Sequence, residues 1–268
     1  MSNSTPASGT VDRVLRVLET LASAPEGMPL AGLANELELP RSACHRLLAE
    51  LVRCGYVRQL RAQGDYALTT KLAAVGLSFL GAAGIVDIAQ PIIDRMAETS
   101  GELVRLALVD GDRLTFVAKA QGARAGLRYD PDMGLDVRLS CSAGGHAWLM
   151  TLSEERATAL VASQGFSDPK SYGPNAPTTF RALMKILEEG RHRGFCMMSE
   201  MYAPGMNAMA APVPGRHKET VAVITVAGPL QRLTMERMLE LGKPLMAAAS
   251  ELALASSTSP LFASARLR

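Results

Sequence analysis

Aromatic side chains make up only 4% of the 268 residues, with one tryptophan, Trp148. A platform that stacks single-stranded nucleic acid needs exposed aromatics, so that class is excluded. Cysteine is scarce as well. Cys44, Cys54, Cys141 and Cys196 form no Cys-x-x-Cys pair and no dense framework, and they read as free thiols of a reducing compartment. Neither sign of charge dominates: the net charge is +2, so any signal for a polyanion has to be local. Residues 1–10 lack the basic and apolar regions of a signal peptide. The longest weakly apolar stretch, Ala73 to Val86, is interrupted by Gly76, Gly81 and Gly84 and is too short to span a bilayer. A cytoplasmic protein with no membrane partner is the expectation.

What is present suits a folded chain. Hydrophobic residues reach 48% and charged residues 20%, enough to bury a core. At roughly 100–200 residues per domain, the length fits one large domain or two modest ones.

The first 70 residues alternate in a recognisable way. Thr10 is placed to cap a helix whose apolar residues fall at Val11, Val14, Leu15, Leu18, Leu21 and Ala22, the stripe of a helix with one buried face. Pro25 and Gly27 end it. A short helix fits Leu30 to Leu37, the turn Glu38-Leu39-Pro40 follows, and Pro40 suits the first position of a third helix. That helix runs from about Arg41 to Arg53 with Ala43, Leu47, Leu48 and Leu51 inward, and Gly55 caps its C-terminal end. Strands at Tyr56–Leu60 and Asp65–Leu68 flank the turn Arg61-Ala62-Gln63-Gly64. Helix, helix, turn, helix, hairpin is a winged helix-turn-helix. A further helix starts after Thr69 and Thr70. Its apolar positions Leu72, Val75, Gly76 and Phe79 suit pairing with a partner helix.

The rest mixes strand pairs with helices, which predicts an α+β domain with an antiparallel sheet. Helices are expected at Val86–Ser100, ending at Gly101, from Ala143 to Leu152, from Ser153, at Thr179–Arg191, and from Thr234 onward. Strands are expected at Leu103–Val109, Leu114–Lys119, Ala208–Val213 and Thr220–Ala227, with a loop rich in Pro, Gly, Ser and Asn over Ser167–Pro177.

Charge is unevenly spread in the first part. Residues 1–38 carry two arginines against five acids, and residues 39–64 carry five arginines against one acid, so the net charge swings from −3 to +4. The positive charge lies on the third helix and the wing, the elements that meet DNA in this motif. Arg41, Ser42, His45 and Arg46 share the face away from Leu47 and Leu51. Arginine reads guanine bidentately in the major groove. Arg58 and Arg61 on the wing suit phosphates, which add affinity without sequence information.

These residues resemble the IclR-type transcriptional regulators. The likeness rests on Val11-Asp12-Arg13-Val14-Leu15, Leu30-Ala31-Gly32-Leu33-Ala34, Leu39 to Leu48, Gly55-Tyr56-Val57 and Tyr66-Ala67-Leu68. It continues at Gly101-Glu102-Leu103-Val104, Gly144-Gly145, Gly194-Phe195, Glu200, Gly205, Ala210-Ala211-Pro212-Val213 and Gly228-Pro229. The family usually has Lys-Ser-Thr where this chain has Arg41-Ser42-Ala43, and a lysine where it has His146. The resemblance implies a DNA-binding domain over residues 10–70, a linker helix over 71–85, a GAF-like effector-binding domain over 86–256 and a tail over 257–268. It implies homodimers or homotetramers on palindromic double-stranded DNA operators, controlled by a small-molecule effector, with a catabolic operon as target. Carried over residue by residue, the effector site comprises Ala143, Gly144, Gly145, Met198, Ala208, Thr225 and Ala227. The family often has polar residues at the last four of these, and here three are apolar. The expected effector is therefore larger and less polar than glyoxylate or pyruvate, of aromatic or otherwise apolar character, with the amides of Ala143 to Gly145 receiving its polar end.

Two other classes remain open on the residues alone. The run Ser140-Cys141-Ser142-Ala143-Gly144-Gly145-His146 places nucleophiles beside a histidine, as in a hydrolase or transferase with an appended winged helix, but it is not Gly-x-Ser-x-Gly. His146, His192 and His217 lack metal-ligand spacing. A winged helix that binds only protein is the other reading, and the +4 patch speaks against it. No catalytic residue, metal or cofactor is expected.

Overall fold

The computed structural model describes residues 9–61, 64–82, 84–131, 137–166 and 170–256. Ala62 and Gln63 of the expected wing turn, residues 167–169 of the long loop, and the tail over 257–268 lie outside them. The chain divides into two compact units between residues 82 and 83.

The first unit runs α1 (Thr10–Ala22), α2 (Leu30–Glu36), α3 (Arg41–Arg53), β1 (Val57–Gln59), β2 (Tyr66–Leu68) and α4 (Thr70–Ala82). Its core is Val17, Leu21, Leu33, Ala34, Leu37, Cys44, Leu48, Leu51, Val57 and Tyr66. Helix α1 begins one residue earlier than expected: Gly9 is the N-cap and Thr10 is the first helical residue. Its predicted apolar stripe divides. Leu21 is buried and Val14 and Leu18 are half-buried, while Val11 and Leu15 stand 73% and 52% exposed; Val17, outside the expected stripe, is buried. In α3 the N-cap is Pro40 rather than the first helical position, and its carbonyl accepts from the amides of Ala43 and Cys44. Gly55, at φ 77°, ends that helix in the left-handed region where a side chain would be strained. Thr69 Oγ1 accepts from the Lys71 amide, so the expected cap for α4 is the first of the two threonines.

The second unit is helices on an antiparallel sheet of five strands in the order β4-β3-β7-β6-β5. It comprises α5 (Ile85–Ser100), β3 (Leu103–Asp110), β4 (Arg113–Gln121), α6 (Ala143–Leu149), α7 (Glu154–Gln164), α8 (Phe180–Arg193), β5 (Cys196–Ser199), β6 (Met206–Pro214), β7 (Thr220–Pro229) and α9 (Met235–Ser256). Strand β5 was not expected: four residues without a β-branched or aromatic side chain give no strand pattern. Helix α6 stops at Leu149, a turn short of the expected Leu152. Ser153 and Thr179 each accept a backbone N–H and so cap α7 and α8.

Strand register sorts the sheet into two faces. Arg105 pairs with Thr225, Leu103 with Ala227, Ala227 with Ala208 and Ala208 with Met198, so their side chains share one face. Helix α6 lies on that face, with Ala143, Ala147 and Met198 in one cluster. The residues between them, among them Val104, Leu106, Asn207, Met209, Ile224 and Val226, point the other way. Helices α5 and α9 pack against the sheet there. Strand β7 is buried along its whole length, covered on both faces.

Candidate functional sites

On α3, three residues of the face toward the core, Cys44, Leu48 and Leu51, are buried. The 3.6-residue period therefore turns Arg41, Ser42, His45 and Arg46 outward, and all four are exposed. With Leu30 they line one open hollow on the surface. Arg58 and Arg61 are exposed on the wing, where Arg58 pairs in register with Ala67. The wing is held by the Leu60 amide donating to the Asp65 carbonyl at 2.8 Å and by Gln59 Nε2 donating to the Gly64 carbonyl at 3.1 Å. Arg53, the remaining arginine of α3, is engaged by Glu50 at 2.7 Å and adds little net charge.

In the second unit a cavity of about 60 Å³ lies between the sheet face and the start of α6. Ala143, Gly144, Met198, Ala208, Thr225 and Ala227 all line it. Gly145 does not. A Cβ there would sit 2.5 Å from the Leu139 backbone, so glycine serves close packing at this position. Its amide donates to Ser142 Oγ at 3.1 Å, and the His146 amide to the Ser142 carbonyl at 2.9 Å. The run of open amides expected at this helix start is thus partly consumed by its own cap. His146 is buried and its Nε2 lies 2.8 Å from the Ser140 carbonyl. Burial pushes its pKa down to about 4, against the hydrogen bond to Ser140, which pulls the other way. It is a buried residue of α6 that does not line the cavity.

The cavity also contains residues that the sequence reading did not select: Arg105, Phe116, Tyr129, Ser142 and Tyr202. Arg105 enters from the middle of β3, with its guanidinium carbon 3.8 Å from the centre of the Phe116 ring. Burial lowers the Arg105 pKa from its ordinary value and raises those of Tyr129 and Tyr202. The loop bearing Tyr129 is tied to the sheet: Gln121 Nε2 donates to the Tyr129 carbonyl at 3.1 Å, and Lys119 Nζ meets Asp130 at 2.6 Å. Asn207 also borders the cavity, but its strand position turns its side chain to the opposite face, where Nδ2 donates to the Leu233 carbonyl at 2.8 Å.

Comparison with known proteins shows the family. The profile of the IclR helix-turn-helix domain matches residues 10–61, and that of the bacterial transcriptional regulator IclR C-terminal region matches residues 77–254. The chain belongs to the IclR family of bacterial transcriptional regulators. It is 32% identical to the transcriptional repressor IclR of Escherichia coli over 254 residues, covering 93% of this chain and 92% of that one. Among solved structures it is similar to an IclR transcriptional regulator from Alicyclobacillus acidocaldarius, at 21% identity and TM-score 0.80, covering 94% and 99% of the two chains. It is also similar to an IclR homologue from Microbacterium hydrocarbonoxydans complexed with 4-hydroxybenzoate, at 20% identity and TM-score 0.78, covering 94% and 100%.

As a member of the IclR family, the protein is a DNA-binding transcriptional regulator with an effector-binding domain, and it is not an enzyme. Ser140, Cys141 and Ser142 therefore need no catalytic role, and Ser142 is accounted for as the cap of α6. Among the described residues no group of His, Cys, Asp and Glu side chains is placed to hold a metal ion, and no single helix is long and apolar enough to cross a membrane. One signal for Arg105 was present in the sequence: a lone charge inside the apolar run Leu103 to Val109. Tyr129 and Tyr202 gave none, because they reach the cavity from loops whose course no local pattern reports.

Proposed function

We propose that this regulator binds a palindromic operator as a homodimer or homotetramer in the cytoplasm, and that a compact aromatic or otherwise apolar effector in the sheet-face cavity controls its affinity. Arg41 and Arg46 read base edges in the major groove, Ser42 and His45 contact either a base edge or a phosphate there, and Arg58 and Arg61 hold phosphates. The observation that carries the DNA half is the outward face of α3, where four polar residues stand clear of solvent-excluded Cys44, Leu48 and Leu51. Self-association is supported by apolar side chains left uncovered: Val11 and Leu15 on α1, and Val75, Leu77 and Phe79 on α4, a helix with no buried residue. Covering such surface yields about 25 cal/mol per Å². Gel shifts on DNA upstream of its own gene, paired with light scattering, test this half. Binding that weakens steeply with salt, by a species larger than a monomer, is the expected result. A strict monomer, or no binding at low salt, sinks it.

The effector half is supported by the cavity walls. Phe116, Val137, Met198, Ala208 and Ala227 are apolar, and a small hydrated acid would lose water contacts against them. The Microbacterium homologue holds an aromatic compound. Calorimetry should rank single-ring aromatics above glyoxylate and pyruvate, and Met198→Asp should weaken the aromatics by about 1–3 kcal/mol through desolvation of the new carboxylate. The reverse ranking, with Met198→Asp silent, removes the aromatic assignment.

A further inference from the structure

We propose that Arg232, which does not line the cavity, is a positioning residue for it: seated on Glu102, Arg232 grips the Leu127 carbonyl and so sets the loop that carries Tyr129 and Pro131 into the cavity wall. The proposal rests on the reading of this cavity as the effector site and names a residue that shapes it from outside.

The loop needs such a hold. Residues 122–131 are neither helix nor strand, and the run Gly122-Ala123-Arg124-Ala125-Gly126 has no large apolar side chain to bury. Leu127, which follows, is exposed. Hydrogen bonds therefore decide where this stretch lies. Two ties come from β4, the edge strand that the loop leaves: Gln121 Nε2 donates to the Tyr129 carbonyl and Lys119 Nζ meets Asp130. Both hold the far end of the loop to its own stem. The tie from Arg232 comes from elsewhere. This residue follows β7, two strands in from that edge, and its Nη2 donates to the Leu127 carbonyl at 3.0 Å.

Arg232 is itself firmly placed. The amides of Arg232 and Leu233 both donate to the Pro229 carbonyl, at 3.0 and 2.9 Å, in a turn after β7. Arg232 Nε and Nη2 donate to the two carboxylate oxygens of Glu102 at 2.6 and 2.8 Å. Glu102 is buried, so withdrawing the guanidinium would strand its charge. A Cβ at Gly228 would lie 2.5 Å from the Glu102 carboxylate, so glycine makes room for the pair. The carbonyl of Glu102 also accepts from the Gly122 amide at 3.0 Å. Glu102 thus holds the loop at two points, Gly122 directly and Leu127 through Arg232. Between them Gly126 turns at φ 77°, and a Cβ there would lie 3.9 Å from Arg232 Nη1, which sets the turn against the guanidinium. Tyr129 is two residues past Leu127, about 7 Å of chain at most, so a shift at Leu127 reaches the cavity wall.

The test uses the full-length protein. Arg232→Lys keeps a cation for Glu102 but removes the fork that serves a carboxylate and a carbonyl together. Arg237→Lys is the matched control, because Arg237 also bonds a carboxylate, Glu240 at 2.9 Å, and a carbonyl, Thr99 at 3.1 Å, but none in the loop. Trypsin reads the loop directly: it cuts after Arg124 and Arg128, both exposed, and cleavage tracks the population of the opened loop. Mass spectrometry should show cleavage at these bonds raised about tenfold or more in Arg232→Lys, the worth of one hydrogen bond from a charged donor. Arg237→Lys should stay within about twofold. Calorimetry with phenol, benzoate, glyoxylate and pyruvate reads the site: the tightest of these should bind Arg232→Lys about tenfold more weakly. On the unaltered protein the same probe should slow cleavage at both bonds, a result that stands even if melting curves show the variant unfolded. Unchanged loop cleavage or unchanged probe affinity in a folded Arg232→Lys, equal loosening in Arg237→Lys, or a bound probe that leaves cleavage of the unaltered protein as it was, overturns the positioning role and leaves the cavity reading intact. Binding of none of the four probes, with Arg232→Lys still opening the loop, overturns the effector reading of the cavity and this proposal with it.

Discussion

The two units put arginine to opposite uses. On α3 and the wing, Arg41, Arg46, Arg58 and Arg61 are all exposed, solvated at little cost and open to a polyanion. On β3, Arg105 is largely withdrawn from water, packed on Phe116, with Nε unpaired. An exposed cation acts over about a Debye length and is screened by salt. A buried one acts at contact and resists screening, but it has to be compensated.

The largest expected effect separates the units by pH. His146 is fully buried in the second unit, whereas His45, the only histidine of the first, is exposed. Burial lowers the His146 pKa from 6.5 to about 4. Between those values the unfolded chain binds a proton that the folded one refuses, so stability is intact above about pH 6.5, declines as pH falls, and has lost its full share near pH 4. That share is about 3 kcal/mol. Melting from pH 7 to 4 should therefore destabilise the second unit more than the first, and His146→Gln should flatten the slope. Equal slopes in the variant and the unaltered protein would remove His146 from the account.

A glycine in each unit sharpens the contrast. A Cβ at Gly145 would lie 2.5 Å from Leu139 Cα and carbonyl oxygen, whereas nothing lies within 4 Å of one at Gly76 on α4. Gly145→Ala should cost about 1–3 kcal/mol by overpacking, and Gly76→Ala should gain up to about 1 kcal/mol of helix propensity. Chemical denaturation reads both. A loss at Gly76 would mean that something outside the chain approaches the α4 backbone closely.

Legibility in the sequence follows the same division. The first unit is made of local patterns, so the order of its elements, the hairpin and the Gly55 cap were all visible there. Its error, the α1 stripe, arose because periodicity reports which residues are apolar and not which are covered: Val11 and Leu15 belong to the pattern and lie in solvent. The second unit's alternation and its Gly101 stop were legible too. Strand β5 was not, because a four-residue strand gains its identity from pairing with β6. The cavity was half legible. Ala143, Gly144, Met198, Ala208, Thr225 and Ala227 came from the family's order of motifs and do line it. Its polar groups did not, since Arg105, Tyr129 and Tyr202 converge from segments far apart in sequence, and convergence of that kind is a property of the fold.

The smallest effect tests the division of labour within the DNA-facing surface. Arg46 lies on the outward face of α3, in the hollow shared with Arg41, Ser42 and His45. Arg61 lies in the turn after the first wing strand, exposed, its carbonyl accepting from the Gly64 amide at 2.8 Å. A base contact should discriminate among sequences by about 1–3 kcal/mol, and a phosphate contact should not discriminate at all. Arg46→Ala should therefore cost operator binding about tenfold or more while non-specific binding falls less. Arg61→Ala should weaken both alike and reduce the slope of log affinity against log salt by about one, the signature of one lost phosphate contact. Anisotropy titrations on operator and scrambled duplexes, at several salt concentrations, measure both quantities. If the two variants lose specificity equally, helix and wing are reading the same feature of the duplex, and the division between base and phosphate contacts drawn here does not hold.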